Sequence, residues 1–433
     1  MDLGPTIGHI KDYIGQDVTM NGWLYNRRGS KKIQFLQFRD GSGIVQACVF
    51  KGEASDEIFQ TASELTQESS ITLTGKVVKD DRSPIGAEIH VSDITVHTLA
   101  NDYPIAIADQ NPNPDFLLSN RHLWIRSRKQ HALLRVRAYV VNRLRNWLDD
   151  HDFTLTDTPI FTPNACEGTS TLFEVNYNDD TKAYLSQSGQ LYGEAAAQAF
   201  GKIYCFGPTF RAEKSSTRKH LREFWMLEPE IAYASIEDVM DVEEQMVSDV
   251  VQDVLKNRRA ELELLEADID MLSNVKAPFK RLHYLEAVEI IRGHGVEMED
   301  MDDFGAPQEE ALMKEFNAPV FVHRFPTAIK AFYMARDPED ERFTLSADLM
   351  AGNGVEICGG GARCWDLEWL ESQIDSHQLK QEDFKWYLDL RRYGGQPSAG
   401  FGLGLERFVG WITGVKHVRE CIPFPRTLKR INP

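Results

Sequence analysis

The chain has 433 residues, which is too long for one ordinary hydrophobic core, so we expect two or three domains. Its 42% hydrophobic and 26% charged residues are typical of a folded globular protein and argue against a disordered chain. The 48 Lys and Arg residues against 66 Asp and Glu residues give a net charge of −18, which disfavours a general polyanion-binding surface. Any contact with nucleic acid must therefore use locally concentrated basic residues.

The sequence carries no signal for a membrane or for secretion. No run of eighteen uncharged apolar residues occurs, and the first residues lack the basic and apolar regions of a signal peptide. The cysteines contain no C-x-x-C pair and no His/Cys spacing typical of zinc. They are Cys48, Cys166, Cys205, Cys358, Cys364 and Cys421. We therefore expect reduced thiols and a cytoplasmic protein that does not contact a membrane.

Residues 1–100 alternate between short apolar strands and turns. The pattern predicts strands at 18–24, 33–40, 44–50, 71–77 and 88–94, with a short helix near 57–65. The turn Asp40-Gly41-Ser42-Gly43 joins the second and third strands as a hairpin. Five strands with one helix in this length fit a small Greek-key barrel of the OB type.

The remaining chain has a different character. Residues 101–119 include a polar, proline-interrupted stretch that predicts a linker. From residue 120 to 433, strands and helices mix without a repeat. Leu133, Val136, Val140 and Leu144 recur at helical spacing before an extended segment that ends at Pro159. We therefore predict a second, larger domain over 120–433.

A basic loop between two apolar segments is the first candidate for chemistry. Arg211 and Glu213 are two residues apart, so on a strand their side chains would share one face. A structural salt bridge is the alternative reading of any single such pair. The polar stretch that follows reaches His220 and then Phe224, whose ring can stack on a base. Cations in such a loop can contact a polyphosphate.

Two further segments add glycines and carboxylates. Gly400, Gly402 and Gly404 precede Arg407 and an apolar helix, a spacing that allows a strand and helix to pack closely. Asp348 and Glu356 lie eight residues apart around a predicted turn, where their oxygens can bind Mg²⁺ on the phosphates of a nucleotide. Solvated surface carboxylates are the alternative.

The three segments in this order resemble the signature motifs of the class II aminoacyl-tRNA synthetases. The helix and strand up to Pro159 resemble motif 1, the dimer interface, Phe210 to Glu230 resemble motif 2, and Gly400 to Arg407 resemble motif 3. With an OB barrel before them, the resemblance covers the whole chain and points to the aspartyl, asparaginyl and lysyl subgroup. It implies an α+β protein: a five-stranded anticodon-binding barrel over 1–100 and, over 120–433, a catalytic domain of antiparallel sheet flanked by helices, assembled as a homodimer.

The resemblance also implies how ATP is bound. Arg211 would hold the α-phosphate and Glu213 would accept a hydrogen bond from the adenine amino group. Phe224 would stack on one face of the adenine, and Arg407 would cover the other face and the γ-phosphate, which His220 would also approach. Glu356, with Asp348, would bind Mg²⁺, and fixed positive charge would neutralise the phosphorus during in-line attack.

The amino-acid pocket favours asparagine within this subgroup. Aspartyl enzymes carry a lysine where this chain has Gly193, and asparaginyl enzymes carry an acid at the position of Glu228. Glu228 and Arg363 offer one acceptor and one donor, which is what a side-chain amide needs. Like charge at Glu228 would reject aspartate.

The other end of the substrate is assigned by the same resemblance. Glu167, in the small-residue segment 166–170, would close as a lid on the amino group. Ser188 and Gln190 would line that end of the pocket. The reaction expected is activation of L-asparagine by ATP to the adenylate, followed by transfer to the 3′ end of tRNA(Asn).

An anticodon-binding surface is expected on the barrel. Phe35 is a candidate stacking platform among basic residues that include Arg27 and Arg28, and Gln46 resembles the residue that reads the central uridine. A core phenylalanine beneath a solvated basic turn is the alternative for Phe35.

Five residues in four places depart from the family pattern: Gly361-Ala362 replace a usual Ser-Gln pair, Ser398 a His, Asp152 a Gly, and Gly352 a Pro. Three alternatives to the asparagine enzyme stay open. They are an aspartyl-tRNA synthetase, a paralogue that activates an amino acid for an acceptor other than tRNA, and a non-catalytic RNA-binding protein. The complete barrel opposes the second, and the complete set of ATP-site residues opposes the third.

Overall fold

The computed structural model describes residues 4–107, 113–167, 172–215, 217–352 and 354–433. It divides into two compact units, Met1–Leu117 and Leu118–Pro433. Residues 108–112 of the predicted linker and 168–170 of the predicted lid lie outside the described residues. Within the described chain, no helix has the length and apolar character needed to cross a membrane. All six cysteines are buried free thiols.

The first unit is a closed barrel with strand order β1-β2-β3-β5-β4. Its elements are β1 (Asp17–Gly29), β2 (Ile33–Arg39), β3 (Ile44–Phe50), α1 (Asp56–Glu64), β4 (Ser70–Lys79) and β5 (Ala87–Thr98). The sequence predicted all five strands and the helix, although β1 and β5 extend several residues beyond the predicted ends. The predicted OB fold is confirmed by this closure and topology.

Alternation of side chains decides which residues fill the barrel. In β2, Gln34, Leu36 and Phe38 are buried, and the residues between them point outward. Leu36 and Phe38 belong to the barrel core, which Phe35 does not enter. The core-residue alternative for Phe35 is therefore wrong.

The second unit is built on an eight-stranded sheet of order β12-β13-β14-β15-β16-β11-β10-β6, with a separate three-stranded sheet β7-β9-β8. The strands are β6 (Thr154–Leu155), β7 (Phe161–Thr162), β8 (Glu174–Asn176), β9 (Lys182–Leu185), β10 (Lys202–Phe210), β11 (Glu223–Ala232), β12 (Lys280–His283), β13 (Val320–His323), β14 (Ser346–Ala351), β15 (Val355–Arg363) and β16 (Ser398–Gly404). The large sheet is antiparallel at its centre, as expected. Its outermost pairs, β12 with β13 and β10 with β6, are parallel.

Helices flank this sheet and bury its apolar face. They are α2 (Pro114–Ser119), α3 (Arg121–Trp124), α4 (Arg128–Asp150), α5 (Gln190–Phe200), α6 (Ile236–Asn257), α7 (Arg259–Leu264), α8 (Ile269–Ser273), α9 (Tyr284–Gly293), α10 (Ala306–Met313), α11 (Leu367–Ser376), α12 (Lys385–Arg392) and α13 (Leu405–Thr413). The predicted apolar stripe of α4 is buried with that of α6 in one core cluster. The other face of the sheet is left for polar side chains.

Candidate active site

Three glycines in β15 and β16 leave the polar face of the sheet open to the side chains of neighbouring strands. A β-carbon at Gly400 would overlap the carboxyl group of Glu230 and the carbonyl oxygen of Pro229, and one at Gly402 would overlap the end of Met226. At Gly359 it would lie 2.8 Å from Glu356 Oε1. Glycine is therefore required because side chains of β11 and β15 occupy the space above these strands.

A cleft above Gly359, Gly400 and Gly402, which we call the glycine floor, brings together all six residues predicted to bind ATP. They are Arg211, Glu213, His220, Phe224, Glu356 and Arg407, and all of them line one pocket. β10 and β11 form the predicted antiparallel hairpin, with Thr209 opposite Phe224. However, β10 ends at Phe210, so Arg211 and Glu213 lie at the start of the connecting loop and not on the strand. No ion pair joins these two side chains among the described residues, which opposes the salt-bridge alternative.

Arg211 presents a donor without a protein acceptor. Its guanidinium carbon lies 5.4 Å from the centroid of the Phe224 ring, and Nη2 lies 3.9 Å from the sulfur of Met226. Its Nε is buried and has no hydrogen-bond partner in the described part of the chain. A buried unsatisfied donor is costly, so this position is suited to an anionic ligand.

Arg407 and His220 close the other side of the cleft. Arg407 Nη1 donates to the carbonyl oxygen of Glu356 at 3.2 Å, and Nη2 lies 3.5 Å from His220 Nε2. His220 Nε2 is 3.9 Å from Glu213. Burial and the charge of Arg407 lower the pKa of His220. Neighbouring Lys219, which the sequence analysis did not assign, forms a 2.6 Å ion pair with Glu309 and donates to the carbonyl oxygen of Gly354.

Asp348 and Glu356 meet above Gly359. The position of a β-carbon there would be 3.3 Å from Asp348 Oδ1 and 2.8 Å from Glu356 Oε1. Their outer oxygens are engaged by cations, Asp348 Oδ2 by Lys330 at 2.7 Å and Glu356 Oε2 by Arg407 at 3.4 Å. Burial raises the pKa of Asp348 to about 7; Lys330 opposes the rise, and the charge of Glu356 adds to it.

These two carboxylates fit a hard divalent cation. Their inner oxygens converge, and the negative charge that they share would be neutralised by such an ion. The described residues contain no cluster of three or more His, Cys, Asp or Glu side chains able to hold a metal. Asp348 and Glu356 are two carboxylates, and Mg²⁺ usually takes one or two from a protein before phosphate and water complete its shell.

Glu228 lies at the far end of β11, buried among donors from the start of α5. It accepts hydrogen bonds from the Ser188 hydroxyl and, at 3.0 Å, from the backbone N–H of Gly189. The Cys205 thiol donates to it at 3.3 Å. Gln190 donates its backbone N–H to the Ser188 oxygen at 3.1 Å. The structure therefore brings Ser188 and Gln190 to Glu228, at the side-chain end of the pocket, whereas the sequence analysis placed them with Glu167 at the amino-group end.

Arg363 is fixed by a partner that the sequence analysis did not identify. Its Nε and Nη2 donate to the two carboxylate oxygens of Glu230 at 3.1 and 2.5 Å, and both side chains are buried. Its Nη1 donates to the sulfur of Met334 at 3.9 Å. Burial raises the pKa of Glu230, and Arg363 opposes that rise. The signal for Glu230 was its position two residues after Glu228, on the same face of β11.

A second buried pair lies behind the first. Arg391 donates to Glu194 at 2.6 Å, and the Tyr387 hydroxyl donates to the other oxygen of Glu194, also at 2.6 Å. The Gln190 side chain donates to the same oxygen at 3.0 Å. The network connects α5 with α12, and no local sequence pattern indicated it.

Glu167 stands at the last described residue before the predicted lid. Its Oε1 accepts a 2.8 Å hydrogen bond from Tyr333, and its backbone N–H donates to Gln187 at 3.0 Å. Gln187 also accepts from the N–H of Cys166. The base of this segment is therefore held against the pocket.

The departures from the family pattern lie at different places relative to the pocket. Ala362 points into the core on the opposite side of β15, so its side chain does not line the pocket. Gly361 has φ +155°, and a β-carbon there would overlap the Leu345 carbonyl oxygen. Gly352 and Asp152 adopt positive φ angles of 55° and 64° outside this pocket. Ser398 is buried opposite Arg363 in the sheet.

The barrel carries its own candidate site. Phe35 lies on the outer face of β2 opposite Arg28, whose guanidinium carbon is 5.4 Å from the ring centroid. Arg27 points elsewhere, because its Nε donates to the carbonyl oxygen of Leu65 at 3.1 Å. Gln46 lies on the same outer face of the sheet and donates its amide N–H to Glu88 at 3.0 Å. Arg28, Phe35 and Gln46 therefore share one outer surface, while Arg27 is tied to the backbone beside it.

Comparison with known proteins gives a consistent result. Residues 113–428 match the tRNA synthetases class II (D, K and N), and residues 18–96 match the OB-fold nucleic acid binding domain. An asparagine–tRNA ligase of Desulforamulus reducens is 53% identical over 431 residues, covering 99% of this chain and all of the relative.

Solved structures agree over the whole length. The asparaginyl-tRNA synthetase of Pyrococcus horikoshii complexed with asparaginyl-adenylate has a TM-score of 0.94 and 42% identity, and the match covers 98% of this chain and 97% of that one. The aspartyl tRNA synthetase of Entamoeba histolytica has a TM-score of 0.83 and 28% identity, with 99% and 92% covered.

The glycine floor predicts the effect of one methyl group. We expect Gly400→Ala to lower the free energy of unfolding by about 1–3 kcal/mol, because the added carbon overlaps Glu230 and the backbone of β11. Gly207→Ala in β10 is the matched control, since nothing lies within 4 Å of its added carbon. Denaturant unfolding compares the two, and equal stability would contradict the overlap.

Proposed function

The chain belongs to the class II tRNA synthetases of the D, K and N group, and we propose that within this family it acts as an asparagine–tRNA ligase. It activates L-asparagine with ATP to asparaginyl-adenylate and transfers the asparaginyl group to the 3′ end of tRNA(Asn). The observation that carries this proposal is the side-chain pocket, in which an acceptor, Glu228, and a donor, Arg363, are both buried. The full-length similarity to asparagine–tRNA ligases supports it.

ATP lies in the cleft over the glycine floor. Phe224 and Arg407 take the two faces of the adenine, and Glu213 accepts from its amino group. Arg211 donates to the α-phosphate through groups that have no oxygen acceptor among the described residues. His220 and Arg407 take the γ-phosphate end, where their side chains are already in contact.

The first step is attack by the asparagine carboxylate on the α-phosphorus. A bond forms between the carboxylate oxygen and phosphorus, the bond to the bridging oxygen of the β-phosphate breaks, and pyrophosphate leaves. Arg211 stabilises the charge that develops on the α-phosphate. Asp348 and Glu356 would hold Mg²⁺, which supplies positive charge to the phosphates when it is bound. In the second step a hydroxyl group of the tRNA 3′ end attacks the adenylate carbonyl carbon, and AMP leaves.

The side-chain amide of asparagine is recognised by one hydrogen-bond donor and one acceptor. Arg363 Nη1, which has no oxygen acceptor among the described residues, donates to the amide oxygen, while Glu228 accepts from the amide N–H. Glu230 holds the guanidinium in place. Glu167, Ser188 and Gln190 bind around the rest of the substrate. Aspartate would place a second carboxylate beside Glu228, and this repulsion excludes it.

The barrel binds the anticodon of tRNA(Asn), with Phe35 as a stacking platform and Arg28, Arg27 and Gln46 around it. The enzyme is a homodimer joined through motif 1, and exposed apolar side chains after α4 support this: Leu155 is 44% exposed and Phe161 is 49% exposed. Because tRNA charging serves protein synthesis and the thiols are free, we place the protein in the cytoplasm.

The substrate is tested by ATP–pyrophosphate exchange with asparagine, aspartate and lysine. We expect exchange with asparagine only, because the pocket supplies one acceptor and one donor for an amide. Exchange at equal efficiency with aspartate would contradict the assignment and favour the aspartyl alternative. Exchange without charging of tRNA(Asn) would instead favour an acceptor other than tRNA.

The role of Arg211 is tested by Arg211→Ala. We expect asparagine-dependent exchange to fall by about 10²–10³-fold, because a fixed donor to the transition-state charge is removed. Lys214→Ala is the control, since Lys214 is exposed on the same loop. Binding of tRNA should persist in both variants, and an unchanged exchange rate in Arg211→Ala would refute the role.

The anticodon surface is tested by Phe35→Ala. Loss of one base-stacking partner costs about 1–3 kcal/mol, so we expect aminoacylation to weaken while pyrophosphate exchange is unchanged. Val96→Ala, which truncates another exposed apolar side chain of the barrel, is the control. Equal losses in both reactions would assign Phe35 to the stability of the fold.

Sedimentation equilibrium tests the dimer. We expect a species of twice 49.3 kDa at micromolar concentration. Leu155→Asp should shift it toward the monomer, because burying a charge in an apolar interface is unfavourable. Ile431→Asp alters a side chain that is 74% exposed outside motif 1 and should leave the mass unchanged. A wild-type monomer would overturn the dimer.

A further inference from the structure

Five buried ionisable side chains surround the side-chain end of the proposed amino-acid pocket. Each is no more than 4% exposed as a side chain or as a residue. They are Glu194, Glu228, Glu230, Arg363 and Arg391. The proposed function uses Glu228 and Arg363 directly and assigns no role in substrate choice to Glu194 or Arg391.

The two arginines are each matched by one carboxylate. Arg363 donates to both oxygens of Glu230, a geometry that requires the ionised carboxylate. Arg391 donates to one oxygen of Glu194 at 2.6 Å, and Tyr387 and Gln190 donate to the other. Among the described residues, Glu228 accepts only from neutral donors, which are a hydroxyl, a backbone N–H and a thiol.

The charges of the five side chains therefore do not cancel. Two arginines and three ionised glutamates give +2 − 3 = −1, and the unmatched charge is that of Glu228. Buried charges interact strongly because little water screens them. Burial lowers the pKa of Arg363, whereas the negative charges of Glu230 and, to a smaller extent, Glu194 raise it.

Without the negative charge of Glu194, the net charge of this set would change from −1 to zero. Arg391 would then be a buried cation without a carboxylate, and the set would be neutral. A neutral set with an unmatched guanidinium would disfavour a carboxylate substrate less strongly, although Glu228 would still repel it. An amide substrate carries no charge and would be little affected.

We propose that Glu194 is a specificity-determining residue that does not touch the substrate: by matching the charge of Arg391 it keeps the pocket negative and so excludes aspartate in favour of asparagine. This inference rests on the proposed function. The alternative is that Glu194 only joins α5 to α12. A purely structural role would weaken the use of both amino acids alike.

Three variants separate these roles in ATP–pyrophosphate exchange with L-asparagine and L-aspartate. Glu194→Gln removes one negative charge and keeps an acceptor for Tyr387. We expect the ratio of kcat/KM for asparagine over aspartate to fall about tenfold. Arg391→Gln makes the set more negative and should leave the ratio unchanged or raise it. The double variant, Glu194→Gln with Arg391→Gln, restores −1 and should return the ratio to within about twofold of the wild type.

Specific results would overturn the proposed role of Glu194. If Glu194→Gln lowers kcat/KM for both amino acids with a constant ratio, or the double variant keeps the lowered ratio, the proposal is wrong. If Glu194→Gln does not fold by thermal melting, Arg391→Gln still tests the proposal, because a fall in its ratio would overturn it. If neither single variant folds, the double variant tests the proposal: a ratio of kcat/KM for asparagine over aspartate that stays below the wild-type value would overturn it. Wild-type enzyme that fails to use asparagine would contradict the proposed function itself, which is a separate result.

Discussion

The absence of side chains at three positions of β15 and β16 is the constraint on which this site depends. Gly359, Gly400 and Gly402 leave the sheet bare where the side chains of β11 and β15 must lie flat across it. Over this floor Glu230 can reach Arg363, and Glu356 can approach Asp348. If any of these glycines carried a β-carbon, a functional side chain would have to move. The geometry of the site therefore depends on the glycines of this sheet.

The site also concentrates charge where solvent is excluded, and it does so in pairs. Arg363 with Glu230 and Arg391 with Glu194 are buried completely, whereas Lys330 with Asp348 and Arg407 with Glu356 border the cleft. Such pairs contribute little net stability, because desolvation offsets their attraction. Their value here is orientation: a guanidinium held at two atoms presents a third in a fixed direction.

Much of this could be predicted from the sequence, because the signals were local. The alternation in β1 to β5 and the helical stripes of α4 and α6 gave the two kinds of architecture. The six residues proposed to bind ATP could be predicted to lie together because they cluster around one hairpin and one glycine-rich strand. Glu230, Glu194 and Arg391 were missed, because their roles arise from contacts between residues more than 100 positions apart. The departure at Ala362 could not be interpreted from sequence, since only the structure shows which side of β15 its side chain faces and that it does not line the pocket.

The contact between Arg28 and Phe35 has a consequence for how the barrel surface meets a base. The guanidinium of Arg28, across from Phe35 on β1, lies over this ring. A base that stacks on the ring must displace the cation or add to its other face, so the gain is the difference between two aromatic contacts. The same cover shields an apolar ring from water between binding events. Under the proposed anticodon-binding role, affinity at this position would depend on the exchange of Arg28 for a base.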